Sequence, residues 1–97
     1  MKLYVLVRKN MTPSQRAVQG GHAVAEFLLN SKNAQEWRNS TLVYLGVKGE
    51  HQLKNWIRKI EYANSECIIW REPDMDNQIT SIAIYSDGEI FKNLNLL

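Results

Sequence analysis

Thr12-Pro13-Ser14-Gln15-Arg16-Ala17-Val18-Gln19-Gly20-Gly21-His22-Ala23 reads as the opening of a helix that directly follows a strand. Thr12 is a good N-cap, Pro13 suits the first helical position, and Gln15 completes a Thr-x-x-Gln capping box. Small residues recur at Ala17, Gly20, Gly21, Ala23 and Ala25, where a core helix normally carries bulk. A helix that keeps glycines despite their propensity penalty needs its backbone close to something else. Gln15, Gln19, His22 and Glu26 fall at i, i+4, i+7 and i+11, which aligns them as one polar stripe. The two patterns describe a closely packed helix presenting amide, imidazole and carboxylate to one cleft.

Outward from this helix, residues 2–8 are β-rich and apolar on both faces, as a central strand is. The helix is expected over residues 13–29, broken by Asn30 to Asn33, with a short second helix from Ala34 to Arg38 anchored by Trp37. Thr41 to Lys48 reads as a second strand. Glu50 to Ala63 is the clearest amphipathic helix, with Leu53, Trp56, Ile57 and Ile60 on one face. Glu66 to Arg71 reads as a third strand, Glu72 to Gln78 as a loop, and Ile79 to Tyr85 as a fourth strand. Asp87-Gly88 marks a turn before a terminal helical turn that packs Ile90, Phe91 and Leu94. This order predicts an α/β fold: one small domain over residues 1–97, with a mixed four-stranded sheet flanked by helices. Trp37, Trp56 and Trp70 read as core residues; Trp70, which alternates with Ile68, would otherwise face a partner or stack on a base.

At 97 residues, with 44% hydrophobic and 23% charged side chains, the composition is that of an ordinary globular domain with one core. No apolar run has membrane-spanning length, and the N-terminus lacks a secretory h-region. The single cysteine, Cys67, excludes an internal disulfide and fits a reducing compartment, so a cytoplasmic protein is expected. Its apolar neighbours Ile68 and Ile69 mark it as a buried, inert thiol. Net charge is only +2, but the first 25 residues hold Lys2, Arg8, Lys9 and Arg16 and no acid, while Glu72, Asp74 and Asp76 gather in one loop. That asymmetry predicts an electropositive edge for phosphate, or simply a solvated basic surface.

Ala17-Val-Gln-Gly-Gly-His-Ala23, after a strand and a polar turn, resembles the helix signature of the peptidyl-tRNA hydrolase type 2 family. The similarity extends over nearly the whole chain, through Thr80 to Ile84 and the apolar C-terminal segment ending in Leu-Leu. The resemblance implies a peptidyl-tRNA hydrolase type 2-like fold and cofactor-free hydrolysis of the ester joining a peptide to tRNA. Two positions depart from the family. Gln15 stands where the family has a lysine, and Glu72-Pro-Asp-Met-Asp-Asn-Gln78 replaces an Asp-Ala-Gly-x-Thr segment. Losing a charged stabiliser near the reaction centre typically costs roughly a hundredfold in rate, so Gln15 leaves enzymatic activity open.

What the resemblance implies about residues follows position by position. Thr80 aligns with the family's site threonine, and either Glu72 or Asp74 would be the hydrolytic acid; the altered spacing leaves both open. Gln15 and Gln19 would steady an oxyanion or a ligand hydroxyl. His22 would orient rather than attack. Arg8, Lys9 and Arg16, beside a helix N-terminus, would meet phosphate. Charge reversal at Arg8 or Arg16 is expected to weaken an anionic partner and leave the fold intact. The partner is then tRNA. The second reading is a non-catalytic binder of a nucleotide, RNA end or phosphorylated small molecule in the same cleft. A third class is an interaction module, in which the small-residue helix face pairs as a homodimer. Two histidines without nearby thiols or carboxylates give no zinc pattern, no metal site is expected, and His51 reads as surface.

Overall fold

β1 (Lys2–Arg8) is apolar on both faces, and it occupies the middle of the sheet. The computed structural model describes residues 1–97. After β1 come α1 (Pro13–Asn30), α2 (Ala34–Trp37), β2 (Leu42–Val47), α3 (Glu50–Tyr62), β3 (Ile68–Glu72) and β4 (Gln78–Ser86). The four strands form one mixed sheet in the order β2-β1-β4-β3. β1 runs parallel to β2, and β4 runs antiparallel to both β1 and β3. The C-terminal ends of β1, β2 and β3 therefore meet the start of β4 at one rim of the sheet, where α1 and α3 begin.

The strand alternation sends β1 to two cores. Leu3, Val5 and Val7 pack with Ala23, Phe27 and Trp37 under α1 and α2, whereas Leu6 packs with Leu45, Leu53, Ile57 and Ile60 under α3. Each fully buried side chain of this size stabilises the fold by about 1.5–3 kcal/mol. Thr12 caps α1 as its sequence requires: its hydroxyl accepts from the Gln15 N–H at 3.2 Å, and its own N–H donates to Gln15 Oε1 at 2.9 Å. No helix is long and apolar enough to cross a membrane.

Three details correct the sequence expectations. β3 begins at Ile68 and extends through Glu72, because Glu66 instead binds the Ser31 hydroxyl and the Lys32 N–H beyond α1. The terminal helical turn is a single 3-10 turn, Glu89–Phe91, whose Ile90 is exposed; Phe91 fills the core position, stacked obliquely on Tyr4 and Trp56. Trp70 is not a core residue. It faces α1 and lies 4.4 Å, nearly parallel, from the His22 ring.

The adjacent glycines of α1 serve opposite ends. A Cβ on Gly20 would stand 2.8 Å from Tyr44 Cζ on β2, so this glycine lets the helix settle against the sheet. A Cβ on Gly21 would meet nothing within 4 Å. Gly21→Ala is therefore expected to stabilise the protein by about 1 kcal/mol through helix propensity. Gly20→Ala should destabilise it by about 1–2 kcal/mol through overpacking. Paired thermal melts measure both, and equal shifts of one sign would contradict the assignment.

Candidate functional site

A β-bulge builds the centre of the site. Trp70 pairs with Ser81 but Arg71 pairs with Ile79, so Thr80 is an extra residue in β4. An inserted residue breaks the alternation of faces, and Thr80 and Ser81 both turn toward α1. The Thr80 hydroxyl donates to Gln19 Oε1 at 2.6 Å, and the Ser81 hydroxyl donates to the Gln19 backbone carbonyl at 2.6 Å. Both residues are completely buried. Gln19 Oε1 also accepts from the Trp70 indole N–H at 3.0 Å, while Gln19 Nε2 donates to Glu72 Oε1 at 2.8 Å. Gln19, 6% exposed, thus ties α1 to β3 and β4 through four side chains.

Glu72 is the loop-side acid of this network, and Asp74 is not. The Asp74 side chain is exposed; only its backbone N–H takes part, donating to Glu72 Oε2 at 3.2 Å. The Gln19 amide first, and the Asp74 N–H second, hold the Glu72 carboxyl below its ordinary value of 4.5; burial opposes them, and the nearby His22 adds a smaller pull. An ionised, hydrogen-bonded carboxylate of lowered basicity is a poor general base near neutral pH. Asp76 and Asn77 adopt left-handed backbone conformations, with φ of 54° and 58°. These are turn positions that Asp and Asn tolerate, and they return the chain to β4.

The residues expected to share one cleft divide into two groups. Gln19, His22, Thr80 and Glu72 converge between α1 and the β3–β4 hairpin. Gln15 does not join them, since its side chain closes the capping box at the exposed start of α1. Glu26 turns to Asn30, whose amide donates to it at 2.8 Å. Arg8 is the clearest correction. It is 7% exposed and turned to the α3 side of the sheet, donating from Nε to Asn10 Oδ1 at 2.8 Å and from Nη1 to Gln78 Oε1 at 2.9 Å. A buried guanidinium holding the sheet rim is not a solvated phosphate ligand. Arg16 donates to the carbonyls of Lys9 and Met11, at 2.7–3.1 Å, and so fastens the turn that precedes α1. Lys9 remains exposed. Beside them Pro13, Arg16, Ala17, Tyr44 and Leu97 line a shallow pocket of about 210 Å³ on the β2 side of α1.

No group of three or more His, Cys, Asp or Glu side chains converges to hold a metal ion. Cys67 is a poor nucleophile: burial first, then the charges of Glu61 and Glu66, push its thiol up to about 12. Sequence reading missed Ser81 and placed Trp70 in the core. Its one signal for Trp70 was the alternation with Ile68, which points both residues toward α1.

No protein-family model and no curated protein matches the chain. Its fold is similar to the solved structure of a protein of unknown function from Agrobacterium tumefaciens strain C58. The likeness has a TM-score of 0.67 at 14% identity, covering 99% of this chain and 96% of that one. At this identity the likeness establishes a shared fold.

Proposed function

We propose that the chain is a non-catalytic, cytoplasmic binder of a nucleotide, RNA end or phosphorylated small molecule, built on a peptidyl-tRNA hydrolase type 2-like framework. The observation that carries this reading is the saturation of the Gln19 network. Thr80, Gln19 and Glu72 already bond one another, and Thr80 has no exposure to solvent. Hydrolysis needs a water activator poised near the working pH and a donor aimed at a developing oxyanion. Here the carboxylate is held ionised, and Gln15 supplies no cation in place of the family lysine. Part of the expected basic edge supports binding of an anion. Lys9 and the anchored Arg16 flank the start of α1, whose dipole favours negative charge, and Tyr44 offers an aromatic wall in the adjoining pocket.

The test titrates nucleoside mono-, di- and triphosphates and a tRNA acceptor-stem RNA by thermal shift and anisotropy, with peptide release from labelled peptidyl-tRNA measured in parallel. At least one phosphorylated ligand is expected to bind, and Lys9→Glu should weaken it by about tenfold, as loss and reversal of one phosphate contact predicts. Lys59→Ala, whose ammonium lies over the Trp56 ring instead, should leave affinity unchanged. Neither the native chain nor Gln15→Lys is expected to release peptide. Turnover by the native chain would replace this reading with the hydrolase. Unshifted melting with every phosphorylated ligand would remove binding at this site.

A further inference from the structure

The two edges of the sheet are treated differently. The outer edge of β2 is covered by the chain's own C-terminal segment: the Gly46 N–H donates to the Asn95 carbonyl and the Leu97 N–H to the Tyr44 carbonyl, each at 3.0 Å, around a Leu45–Leu96 bridge. At the opposite edge β3 pairs with β4 alone, and no other backbone hydrogen bond reaches Ile68 to Arg71. An uncovered edge is a template for another extended strand.

A groove of about 250 Å³ runs beside that edge on the α3 face, away from the Gln19 network. α3 packs over β4 and β1, leaving its side of β3 partly open. The floor is Ile57, Ile69 and Ile79; the rim is Lys54, Arg58 and Arg71. Lys54 and Arg58 are one turn apart on α3, and Arg71 faces them from β3. Glu50, a carboxylate beside the rim, is already engaged: one oxygen lies 3.7 Å from Lys54 Nζ and the other accepts from the Ile79 N–H at 2.7 Å. Arg58 and Arg71 have only uncharged partners, the Asn55 side chain and the Asn77 carbonyl.

We infer that this groove and the free edge of β3 together form a docking site for an extended acidic peptide, which adds to the sheet as a fifth strand. Main-chain hydrogen bonds to β3 supply affinity that is independent of sequence, and alternate side chains supply specificity. Aliphatic side chains of the peptide rest on the three isoleucines while its carboxylates meet Lys54, Arg58 and Arg71. The groove has no aromatic ring on which bases would stack, which disfavours single-stranded nucleic acid. A second copy of the chain is disfavoured too, because edge-to-edge pairing would bring two like-charged rims together.

Three labelled probes distinguish these occupants by fluorescence anisotropy: a decapeptide alternating Glu and Val, its Gln-for-Glu counterpart, and decauridylate. The acidic peptide is expected to bind about tenfold or more tighter than its neutral counterpart. Arg58→Glu and Arg71→Glu, both at exposed positions, should each weaken it by about tenfold, as reversal of one close charge contact predicts. Lys9→Glu, at the phosphate site proposed above, should leave it unchanged, so the two sites fail or survive separately. Hydrogen exchange in the complex should slow over residues 68–72. Equal binding of the two peptides, tighter binding of decauridylate, dependence on Lys9, or no added protection of β3 would each overturn the inference.

Discussion

Gln19→Ala is expected to lower the melting temperature by roughly 12 °C or more, from a loss of about 3 kcal/mol and a sensitivity of about 4–8 °C per kcal/mol in a domain of this size. The substitution removes little apolar area. Its effect comes from what it strands: a Thr80 hydroxyl with no access to water, a half-buried Trp70 indole N–H, and a Glu72 carboxylate deprived of its amide donor. A buried polar group left without a partner costs about 1–3 kcal/mol. Thr80→Val removes one donor and leaves the other two bonds, so it should cost only about 1 kcal/mol. Differential scanning calorimetry on the two variants measures both. Equal small losses would mean that Gln19 is not the junction between α1 and the β3–β4 hairpin.

The Gln19 effect also carries a pH signature with a defined sign. The folded state holds the Glu72 carboxyl below its ordinary value of 4.5, chiefly through the Gln19 amide. A depressed carboxyl contributes stability above its unfolded value and loses it as pH falls through the folded one. Gln19→Ala removes the largest cause of that depression. The gap between the native and variant melting temperatures should therefore be widest at neutral pH and narrow below pH 4.5. A gap that widens on acidification would assign the loss to something other than the Gln19–Glu72 bond.

The parts of the fold legible in the sequence were those set by local rules. The Thr12 cap, the doubly apolar β1 and the single apolar face of α3 each depend on residues a few positions apart. The site was legible only as a set of side chains, not as a geometry. Thr80 and Ser81 are neighbours, and simple alternation sends them to opposite faces; the bulge that turns both toward Gln19 arises from the register between β3 and β4. The choice between Glu72 and Asp74 likewise depends on which of them ends β3 in reach of α1. Trp70 looked like core because its neighbours Ile68 and Ile69 are apolar, yet an edge strand has room for an indole to lie half-buried against a histidine. The basic edge misled most. An arginine at the end of a strand looks solvated in sequence, and nothing local reveals that Gln78, seventy positions away, accepts its hydrogen bond.

Arg8→Glu is accordingly expected to damage the fold before it touches any ligand. The guanidinium donates to Asn10, to Gln78 and, at 3.4 Å, to the Ile79 carbonyl, at the point where β1 leaves β4 and their ladder ends. The Ile79 N–H is taken up by Glu50 instead. Arg8 and Glu50 thus cap the two backbone groups of one residue, although no direct ion pair joins them, since the only ion pairs are Lys54–Glu50 and Lys92–Glu89. A carboxylate at position 8 would face the oxygens of Asn10, Gln78 and Ile79, with Glu50 close by. Hydrogen bonds from a charged donor are worth about 1.5–3 kcal/mol each, so the loss should be about 3 kcal/mol or more, or roughly 12 °C of melting temperature. Arg8→Met keeps the aliphatic stem without the charge and should fall between this variant and the native protein. Arg16→Glu breaks only bonds to carbonyls of the exposed turn and should cost about 1 kcal/mol. If Arg8→Glu melts with the native protein and loses only ligand binding, then Arg8 is a phosphate ligand after all, and the sheet rim is held without it.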